Sequence, residues 1–317
     1  MTIFDDIRTS CAAVAAAATS VRINSDRVAA FAGELDLNTP KDDPGQSRMG
    51  SEETGAAFVL ALDAINFGSG YFPYIQKRPG MSGYHTVATS LRDLIADTGG
   101  ITTERLSAWR VDDAAATFGQ VLDGGPAHEL MELFTQAWHD LAEFVDRVGD
   151  GSFRATVAQA DGSAARLVEM LAEMPFFRDV HAHPATGEVL LYKRAQIVVQ
   201  DLHVAFEGKG PGAFEDRREL TMFADNLVPH VLRVEGVLEF DDDLVKRIDA
   251  IDDIPVGSAE EVEIRACGLH AVELLRSALA EQGDRMTAGD LDNVLWNLGA
   301  QPKYKAIPRH RSRCVYY

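Results

Sequence analysis

The sequence predicts a mainly α-helical protein, a helical bundle-like domain with little sheet. Apolar side chains recur at spacings of three or four residues along most of the 317-residue chain, a period that places them on one face of a helix. Only residues 188–191 and a few near 72–76 look like strands. With 46% apolar residues the chain can bury a sizeable core. We therefore expect one domain over residues 1–317, with two lobes around a central cleft as the alternative arrangement.

The predicted helices follow one another along the whole chain. In order they span residues 3–19, 25–35, 52–65, 83–96, 103–121, 126–148, 161–174, 192–206, 225–235, 241–250, 258–282 and 287–298. Ser25, Asp161 and Thr287 stand at the start of three of these helices, as capping residues do. Residues 38–53 contain two prolines, two glycines and many charges, which predicts a mobile loop.

A Gly-rich corner, "EGKGPGAFED", occupies residues 207–216. Such a corner forms either a tight turn or a cradle for phosphate. The Rossmann and Walker phosphate loops follow a strand, whereas a predicted helix precedes these glycines. The pattern therefore favours a tight turn.

The charge balance limits the partners. The chain carries 30 basic and 49 acidic residues, a net charge of −19, which repels a phosphate backbone. We expect no polymeric nucleic acid as a partner, while a small anionic ligand stays compatible with a local cluster of positive charge. A membrane span needs about 18 uncharged apolar residues in a row, and the sequence has no such run.

The cysteines and histidines indicate the cellular compartment and whether a metal site is expected. Cys11, Cys267 and Cys314 form no CxxC pair and no even framework, which fits a reducing compartment, so we expect a cytoplasmic protein. His181 and His183 form an H-x-H pair in a turn-like stretch, with no further His or Cys nearby. A zinc site needs more ligands than these two, and we expect neither a metal nor a cofactor.

Residues 65–85, "INFGSGYFPYIQKRPGMSGYH", interleave aromatic side chains with glycines. Phe67 and Tyr84 are two of these aromatics. Flat rings on Gly-rich corners can stack on a heterocycle. They can equally well anchor a loop against the core, and the spacing leaves both interpretations open.

Residues 192–206, "YKRAQIVVQDLHVAF", place charges in an otherwise apolar helix. Arg194 and Asp201 are seven residues apart and share a helix face, as do Lys193 and Gln200. A buried charge is costly unless it is paired. A structural ion pair would satisfy this requirement as well as a ligand would.

Residues 220–236, "LTMFADNLVPHVLRVEG", form an amphipathic pattern that Pro229 interrupts. The ring of a proline collides with the carbonyl four residues back, here that of Asp225, so a new helix is predicted to start at Asp225. A carboxylate at a helix start is stabilised as the anion by backbone N–H groups and the helix dipole. Such an anion can serve a reaction that develops positive charge, or it can be a simple N-cap.

The last segment, "QPKYKAIPRHRSRCVYY" at residues 301–317, contains five Lys or Arg and no acid. A basic tail is usually solvated, but the final Cys-Val-Tyr-Tyr is apolar enough to be docked into the fold. In an extended segment Arg311 and Arg313 lie on one side, where they could meet a phosphate.

These segments together resemble the queuosine salvage protein family, the queuosine 5'-phosphate N-glycosylases. The matching pieces, spread from about residue 22 to residue 317, are Asn-Phe at 66–67, Ser-Gly-Tyr at 82–84, "YKRAQI", "TMFAD", "VEIR" and "HRSRCVYY". The resemblance implies a fold similar to the helix-hairpin-helix DNA glycosylases and hydrolysis of queuosine 5'-phosphate with release of the base queuine. It also implies a small nucleotide as the partner.

The resemblance also implies roles for individual residues. Asp225 is expected to be the catalytic carboxylate that faces the sugar, with Asp201 as a second catalytic candidate or as an acceptor for the base. The expected substrate-binding residues are Asn66, Phe67, Tyr84, His85, Lys193, Arg194, Arg311, Arg313 and Tyr316. Lys193, the three arginines and Tyr316 are candidates for the 5'-phosphate, and the aromatic Phe67 and Tyr84 for the base.

Two other functions are compatible with the same residues. A binding or carrier protein for the nucleotide or its base would show the same aromatic loop and basic tail. Residues 68–81 depart from the family pattern, so a glycosylase for a different nucleoside monophosphate is a further alternative.

Overall fold

A computed structural model describes residues 2–38 and 49–317. It is mainly helical, as predicted. In chain order its elements are α1 Ile3–Ala17, β1 Val21–Ile23, α2 Ser25–Glu34, α3 Glu52–Ala64, α4 Gly83–Thr98, α5 Thr103–Ser107, α6 Val111–Phe118, α7 Pro126–Gly149, α8 Phe153–Ala158, α9 Ala164–Leu171, β2 Val180–His183, β3 Gly187–Leu190, α10 Lys193–Ala205, α11 Val228–Val234, β4 Leu238–Phe240, α12 Asp242–Asp249, α13 Ala259–Glu281, α14 Ala288–Leu298 and α15 Pro302–Lys305.

The described residues form two compact units, each assembled from several stretches of chain. The first unit contains residues 2–38, 179–193 and 218–313, and the second contains residues 49–178, 194–217 and 314–317. Among the described residues, no helix is both long and apolar enough to cross a membrane. The predicted likeness to helix-hairpin-helix DNA glycosylases stays a prediction.

The long helix α13 is the centre of the first unit. It packs against α1, α2, α11 and α14, and most of its residues from Glu261 to Val272 are buried. Two small antiparallel sheets flank it, β1 with β4 in the register Val21↔Phe240 and β2 with β3 in the register Val180↔Leu190. Three of the buried α13 residues are charged, namely Glu261, Glu263 and Arg265, so the core of this unit contains polar networks.

The second unit is built around α7, which packs against α3, α5, α6 and α8. Helix α3 is buried at every position from Gly55 to Ala64. The fully buried Trp138 of α7 donates its indole N–H to the carbonyl of Ala61, at 2.9 Å. The same unit contains residues 210–212, which form a 3-10 turn, as predicted for the Gly-rich corner.

Some predicted helix boundaries were wrong for local reasons. The predicted helix 103–121 is two helices, α5 and α6, because Asp113 accepts the backbone N–H of Arg110 at 3.0 Å and starts a new helix there. The predicted helix 161–174 is the shorter α9. Its cap is Ser163, while Asp161 has a left-handed φ of 51°. Thr287 is the cap of α14, as predicted.

Other differences concern short elements. Helix α2 is capped by Asn24, so Ser25 is its first residue and not its cap. The predicted strand at 188–191 is confirmed as β3, which lies one residue earlier in the chain. Residues 72–76 contain turns and a bend and form no strand, and the His181–His183 stretch lies in β2. Helices α8 and α15 and strands β1 and β4, of three to six residues each, were not predicted. The predicted loop at 38–53 lies largely outside the described residues.

Candidate active site

Asp225 is held by the backbone that follows it. Its Oδ1 accepts the N–H groups of Leu227, at 2.8 Å, and Val228, at 3.0 Å. Helix α11 begins at Val228, with Pro229 as its second residue, where a missing N–H costs nothing. The break before Pro229 is therefore confirmed, but the helix starts three residues later than predicted because the Asp225 side chain takes up the N–H groups ahead of it.

A close approach of two helices fixes the start of α11. Gly268 of α13 faces Pro229, and a Cβ atom at position 268 would lie 2.9 Å from the proline Cγ. Pro229 itself is buried. The segment that carries Asp225 thus has buried neighbours on the α13 side, while Asp225 itself is half-buried.

A second carboxylate, that of Asp292 on α14, lies in the same network. It is 5% exposed, and its Oδ1 accepts the backbone N–H of Phe223 at 3.0 Å. Burial, and then the charge of Asp225, raise the pKa of Asp292 well above its ordinary value, against the opposing effects of the Phe223 N–H and of Lys193. Asp225 and Lys193 therefore each act electrostatically on Asp292.

Asp292 was missed in the sequence, although one signal could have revealed it. It lies four residues after Ala288 and three before Leu295, both buried on α14. An acid on the apolar face of a helix needs a partner or a function. The sequence pattern shows the acid but not what it contacts.

Arg265 of α13 holds the segment that carries Asp225 by a hydrogen bond to its backbone. Its Nε donates to the carbonyl of Ala224 at 2.8 Å, and its Nη1 and Nη2 donate to the two carboxylate oxygens of Asp179 at 3.0 and 2.6 Å. The arginine side chain is fully buried, and that of Asp179 is 3% exposed. Asp179 in turn accepts the backbone N–H of Lys193 at 3.2 Å.

The charge on Asp179 is stabilised by its partners. Burial alone would raise the pKa of this carboxyl, but the Arg265 guanidinium and His181 together outweigh it and lower the pKa below its ordinary range. His181 lies with Nε2 2.9 Å from Asp179 Oδ1, and His183 with Nε2 3.3 Å from Glu263. The H-x-H pair thus belongs to the polar network of the first unit.

The basic tail runs beside the Asp225 segment. The side-chain amide of Asn226, the residue after Asp225, donates to the carbonyl of His310 at 3.2 Å. Burial lowers the pKa of Arg309, while the charge of Asp225 opposes this change. The predicted docking of the tail is confirmed, and it brings the Arg309 charge close enough to interact with Asp225.

The two predicted tail arginines differ in their surroundings. Arg311 is half-buried, and its carbonyl accepts the N–H of Ile254 at 2.7 Å. Arg313 is exposed and donates from Nε to Asp253 at 3.1 Å. This ion pair occupies part of the Arg313 guanidinium, so Arg311 is the better placed of the two for a ligand.

Arg194 belongs to the second unit, where it is 1% exposed. Its Nη1 donates to the carbonyls of Asp63, at 3.1 Å, and Ala64, at 2.7 Å, and its Nη2 donates to the carbonyl of Phe176. The guanidinium carbon lies 4.9 Å from the ring centre of Phe67. These contacts anchor the end of α3, and they do not favour the predicted phosphate role, which stays a prediction.

The aromatic loop is anchored within the second unit. Phe67 is 2% exposed and makes an edge contact with Phe134, at 5.2 Å between ring centres. The next residue, Gly68, donates its N–H to the carbonyl of Tyr317 at 2.9 Å. Asn66 donates to Asp63 Oδ1 at 3.1 Å and is half-buried. The spacing left stacking and core packing open, and the structure places Phe67 in the core.

The other predicted residues of the second unit are more accessible, apart from Asp201. Tyr84 and His85 are half-buried at the start of α4, where Ser82 caps the helix and its Oγ lies 3.0 Å from His85 Nδ1. Tyr316 is also half-buried, and Asp201 of α10 is 4% exposed. Asp201 and Asp225, the two predicted catalytic aspartates, belong to different units.

Comparison with known proteins identifies the family to which this chain belongs. Residues 47–317 match the sequence model of the queuosine salvage protein family. The chain belongs to this family. The resemblance seen in the sequence is thereby confirmed.

Similar proteins include three queuosine 5'-phosphate N-glycosylase/hydrolases. That of Sphaerobacter thermophilus is 36% identical over 271 residues, which cover 84% of this chain and 82% of the relative. That of Dictyostelium discoideum is 32% identical over 267 residues, covering 84% of this chain and 79% of the relative. That of Mus musculus is 37% identical over 177 residues, covering 53% and 52%.

Proposed function

We propose that this protein hydrolyses the N-glycosidic bond of queuosine 5'-phosphate and releases the base queuine for salvage. The observation that carries the proposal is the similarity to enzymes of this name over more than four fifths of the chain. The placement of Asp225 supports it, because the reaction requires a fixed anion. The substrate is a small nucleotide, which also suits a chain of net charge −19 better than a nucleic acid polymer does.

The chemistry determines what the protein must supply. The bond between the sugar carbon C1' and the base nitrogen breaks, and its electron pair leaves with the base. Positive charge develops on the sugar, which becomes oxocarbenium-like. Water then bonds to C1', and its proton balances the charge of the departing base, so the products are free base and ribose 5-phosphate.

Asp225 is proposed to stabilise this positive charge. Its Oδ1 is already held by two backbone N–H groups, so the carboxylate is oriented before the substrate arrives. Among the described residues its Oδ2 makes no hydrogen bond, and that oxygen can face the sugar or orient the water. A preorganised charge of this kind stabilises the transition state without reorganisation cost. Asp201 stays the second candidate.

Positive groups are proposed to hold the 5'-phosphate. Lys193 and Arg311 belong to the same unit as Asp225, and charged donors bind phosphate strongly. Arg194 and Arg313 are less suited, because their donors already bind carbonyls and Asp253. The roles of Asn66, Phe67, Tyr84, His85 and Tyr316 in binding stay separate proposals.

The reducing compartment expected from the sequence is also part of the proposal. Cys11, Cys267 and Cys314 are buried, and none of them forms a disulfide within the described part of the chain, as in proteins of a reducing compartment. We place the reaction in the cytosol.

One assay tests the proposed function. The purified protein is incubated with queuosine 5'-phosphate, and free queuine and ribose 5-phosphate are followed by chromatography. We expect both products in equal amounts. Binding without product formation would indicate a carrier protein, and faster cleavage of another nucleoside monophosphate in a panel would indicate a different substrate.

A further inference from the structure

The Arg265 guanidinium contacts the backbone beside Asp225 directly and the backbone of Lys193 through Asp179. We propose that Arg265 is a positioning residue that fixes Asp225 through a hydrogen bond to the neighbouring backbone and fixes Lys193 through Asp179. The inference rests on the proposed hydrolysis, and it assigns a role to a residue that touches no reacting atom. The contacts that support it all lie within the first unit.

The first contact acts on Asp225. Arg265 Nε donates to the carbonyl of Ala224 at 2.8 Å, and Ala224 is joined by one peptide bond to Asp225. On the other side of Asp225, its own Oδ1 binds the N–H groups of residues 227 and 228. The backbone of Asp225 is thus held on both sides, which limits how far the carboxylate can rotate.

The second contact acts on Lys193 through Asp179. Both carboxylate oxygens of Asp179 are bound by Arg265, and this fork fixes the plane of the carboxylate. Asp179 then accepts three successive backbone N–H groups, with its carbonyl those of Leu191 and Tyr192 at 3.0 and 3.3 Å, and with Oδ2 that of Lys193 at 3.2 Å. Asp179 therefore fixes the backbone conformation of the residues that lead to Lys193.

The backbone held in this way is strained. Tyr192 has a φ of 47°, in the left-handed region that non-glycine residues rarely adopt. Strain of this kind persists only where the surroundings enforce it, and it occurs preferentially at functional sites. The Asp179 contacts enforce it here, and Arg265 keeps Asp179 ionised and oriented.

Lysine cannot replace arginine in this arrangement. Its ammonium is a point charge that can pair with Asp179, but it lacks the rigid fork and the separate Nε donor that reaches Ala224. Arg265→Lys thus keeps a positive charge in the core and removes the geometry. We expect kcat to fall on the order of 10- to 100-fold, the effect of a misplaced catalytic group.

A double-mutant cycle tests the proposal. Turnover of queuosine 5'-phosphate is measured for the wild type, Arg265→Lys, Asp225→Asn and the double variant, in single turnovers with excess enzyme. If Arg265 acts through both Asp225 and Lys193, Arg265→Lys slows the Asp225→Asn enzyme less than it slows the wild type, because only the effect on Lys193 remains. A loss in the Asp225→Asn enzyme as large as in the wild type overturns the proposal, as does full activity of Arg265→Lys.

Glu263→Gln is the matched control. Glu263 is a buried charged residue of the same helix, and it accepts the N–H groups of Thr19, Ser20 and Val21. We expect this variant to lose thermal stability while the folded enzyme keeps its kcat. An equal fall in kcat for Glu263→Gln would show that any damage to α13 slows the enzyme, and would overturn the assignment to Arg265.

Two further arms complete the design. If Arg265→Lys does not fold, Asp179→Asn takes its place in the cycle with the same expected dependence on Asp225, since it keeps the shape of the side chain but removes the charge that Arg265 orients. A wild-type protein that forms no queuine would contradict the proposed function itself. An active wild type with additive losses contradicts only the positioning role.

Discussion

Asp292 accepts the backbone N–H of Phe223 at 3.0 Å, two residues ahead of Asp225. The contact stabilises the segment, yet it places a second carboxyl where burial, and then the charge of Asp225, raise its pKa and oppose its ionisation. At pH values above the pKa that Asp292 has in the unfolded chain, this residue therefore lowers the free energy of unfolding.

Asp292→Asn should stabilise the protein at neutral pH. Asparagine keeps an acceptor for Phe223 and cannot ionise, and relief of a buried charge is worth about 1–2 kcal/mol. Because the pKa of Asp292 is raised on folding, its destabilising effect is absent below the ordinary aspartate pKa of about 4 and grows as the pH rises. The melting temperature of the variant should exceed that of the wild type at pH 7, and the difference should vanish below about pH 4.

Asp241→Asn is the comparison for this experiment. Asp241 caps α12 by accepting the N–H of Leu244 at 2.7 Å; asparagine keeps this acceptor but loses the favourable interaction of a negative charge with the helix N-terminus, so its replacement should lower the melting temperature slightly at pH 7. A gain in stability for both variants would mean that the surplus of negative charge, and not the position of Asp292, is responsible.

The Asp179–Arg265 pair predicts the opposite dependence on pH. The pKa of Asp179 is lowered on folding, so its ion pair contributes stability above the ordinary aspartate pKa and loses it as the pH falls. Asp179→Asn leaves Arg265 without its charge partner, which costs about 3 kcal/mol when the pair is buried. Urea denaturation should show this loss at pH 7 and a smaller one at pH 3. A deficit that is the same at both pH values would contradict the lowered pKa.

Asp225→Asn should slow the proposed hydrolysis with little change in KM. The loss of one preorganised group that acts on the transition state costs about 100- to 1000-fold in kcat. The measurement is steady-state release of queuine. Asp241→Asn again serves as control, because it removes the same charge from a capping aspartate of the same unit; a comparable loss in that variant would exclude a specific role for Asp225.

Arg311 and Arg313 should differ in their effect on substrate binding. Replacement of Arg311 by Met is expected to raise KM for queuosine 5'-phosphate about tenfold, the magnitude of a lost charged hydrogen bond. Arg313→Gln should have a smaller effect, because its Nε already pairs with Asp253. KM is compared for the nucleotide and for the nucleoside without phosphate. Equal changes for both substrates would argue against a phosphate contact.

The sequence predicted the parts of this protein that depend on neighbouring residues. Helical periodicity gave the mainly helical class, and Pro229 marked the break beside Asp225. The predicted helix was longer than α11, because the periodic pattern does not show that the Asp225 side chain binds the N–H groups of residues 227 and 228. The split between α5 and α6 was missed for the same reason, since Asp113 caps locally.

Interactions between distant residues could not be predicted in this way. Arg265 and Asp179 are 86 residues apart, and nothing in either local pattern names the other as a partner. Asp292 and Phe223 are 69 residues apart, so the sequence near Asp292 does not explain why an acid lies on the apolar face of α14. Arg194 was recognised as unusual, but its carbonyl partners lie 18 to 131 residues away, and a helix-face argument could not distinguish them from a ligand.

The close approach of Gly268 to Pro229 has a consequence for protein engineering. Replacing helical glycines by alanine is a common way to raise heat resistance. Gly33 of α2 is a suitable position, because an added Cβ would meet no atom within 4 Å beyond its chain neighbours and the backbone of its own helix. At Gly268 the same exchange would press a methyl group against the proline ring and shift the turn that presents Asp225. Position 268 should therefore stay glycine when the protein is engineered for thermostability, since alanine there would displace Asp225 and lower the proposed catalytic activity.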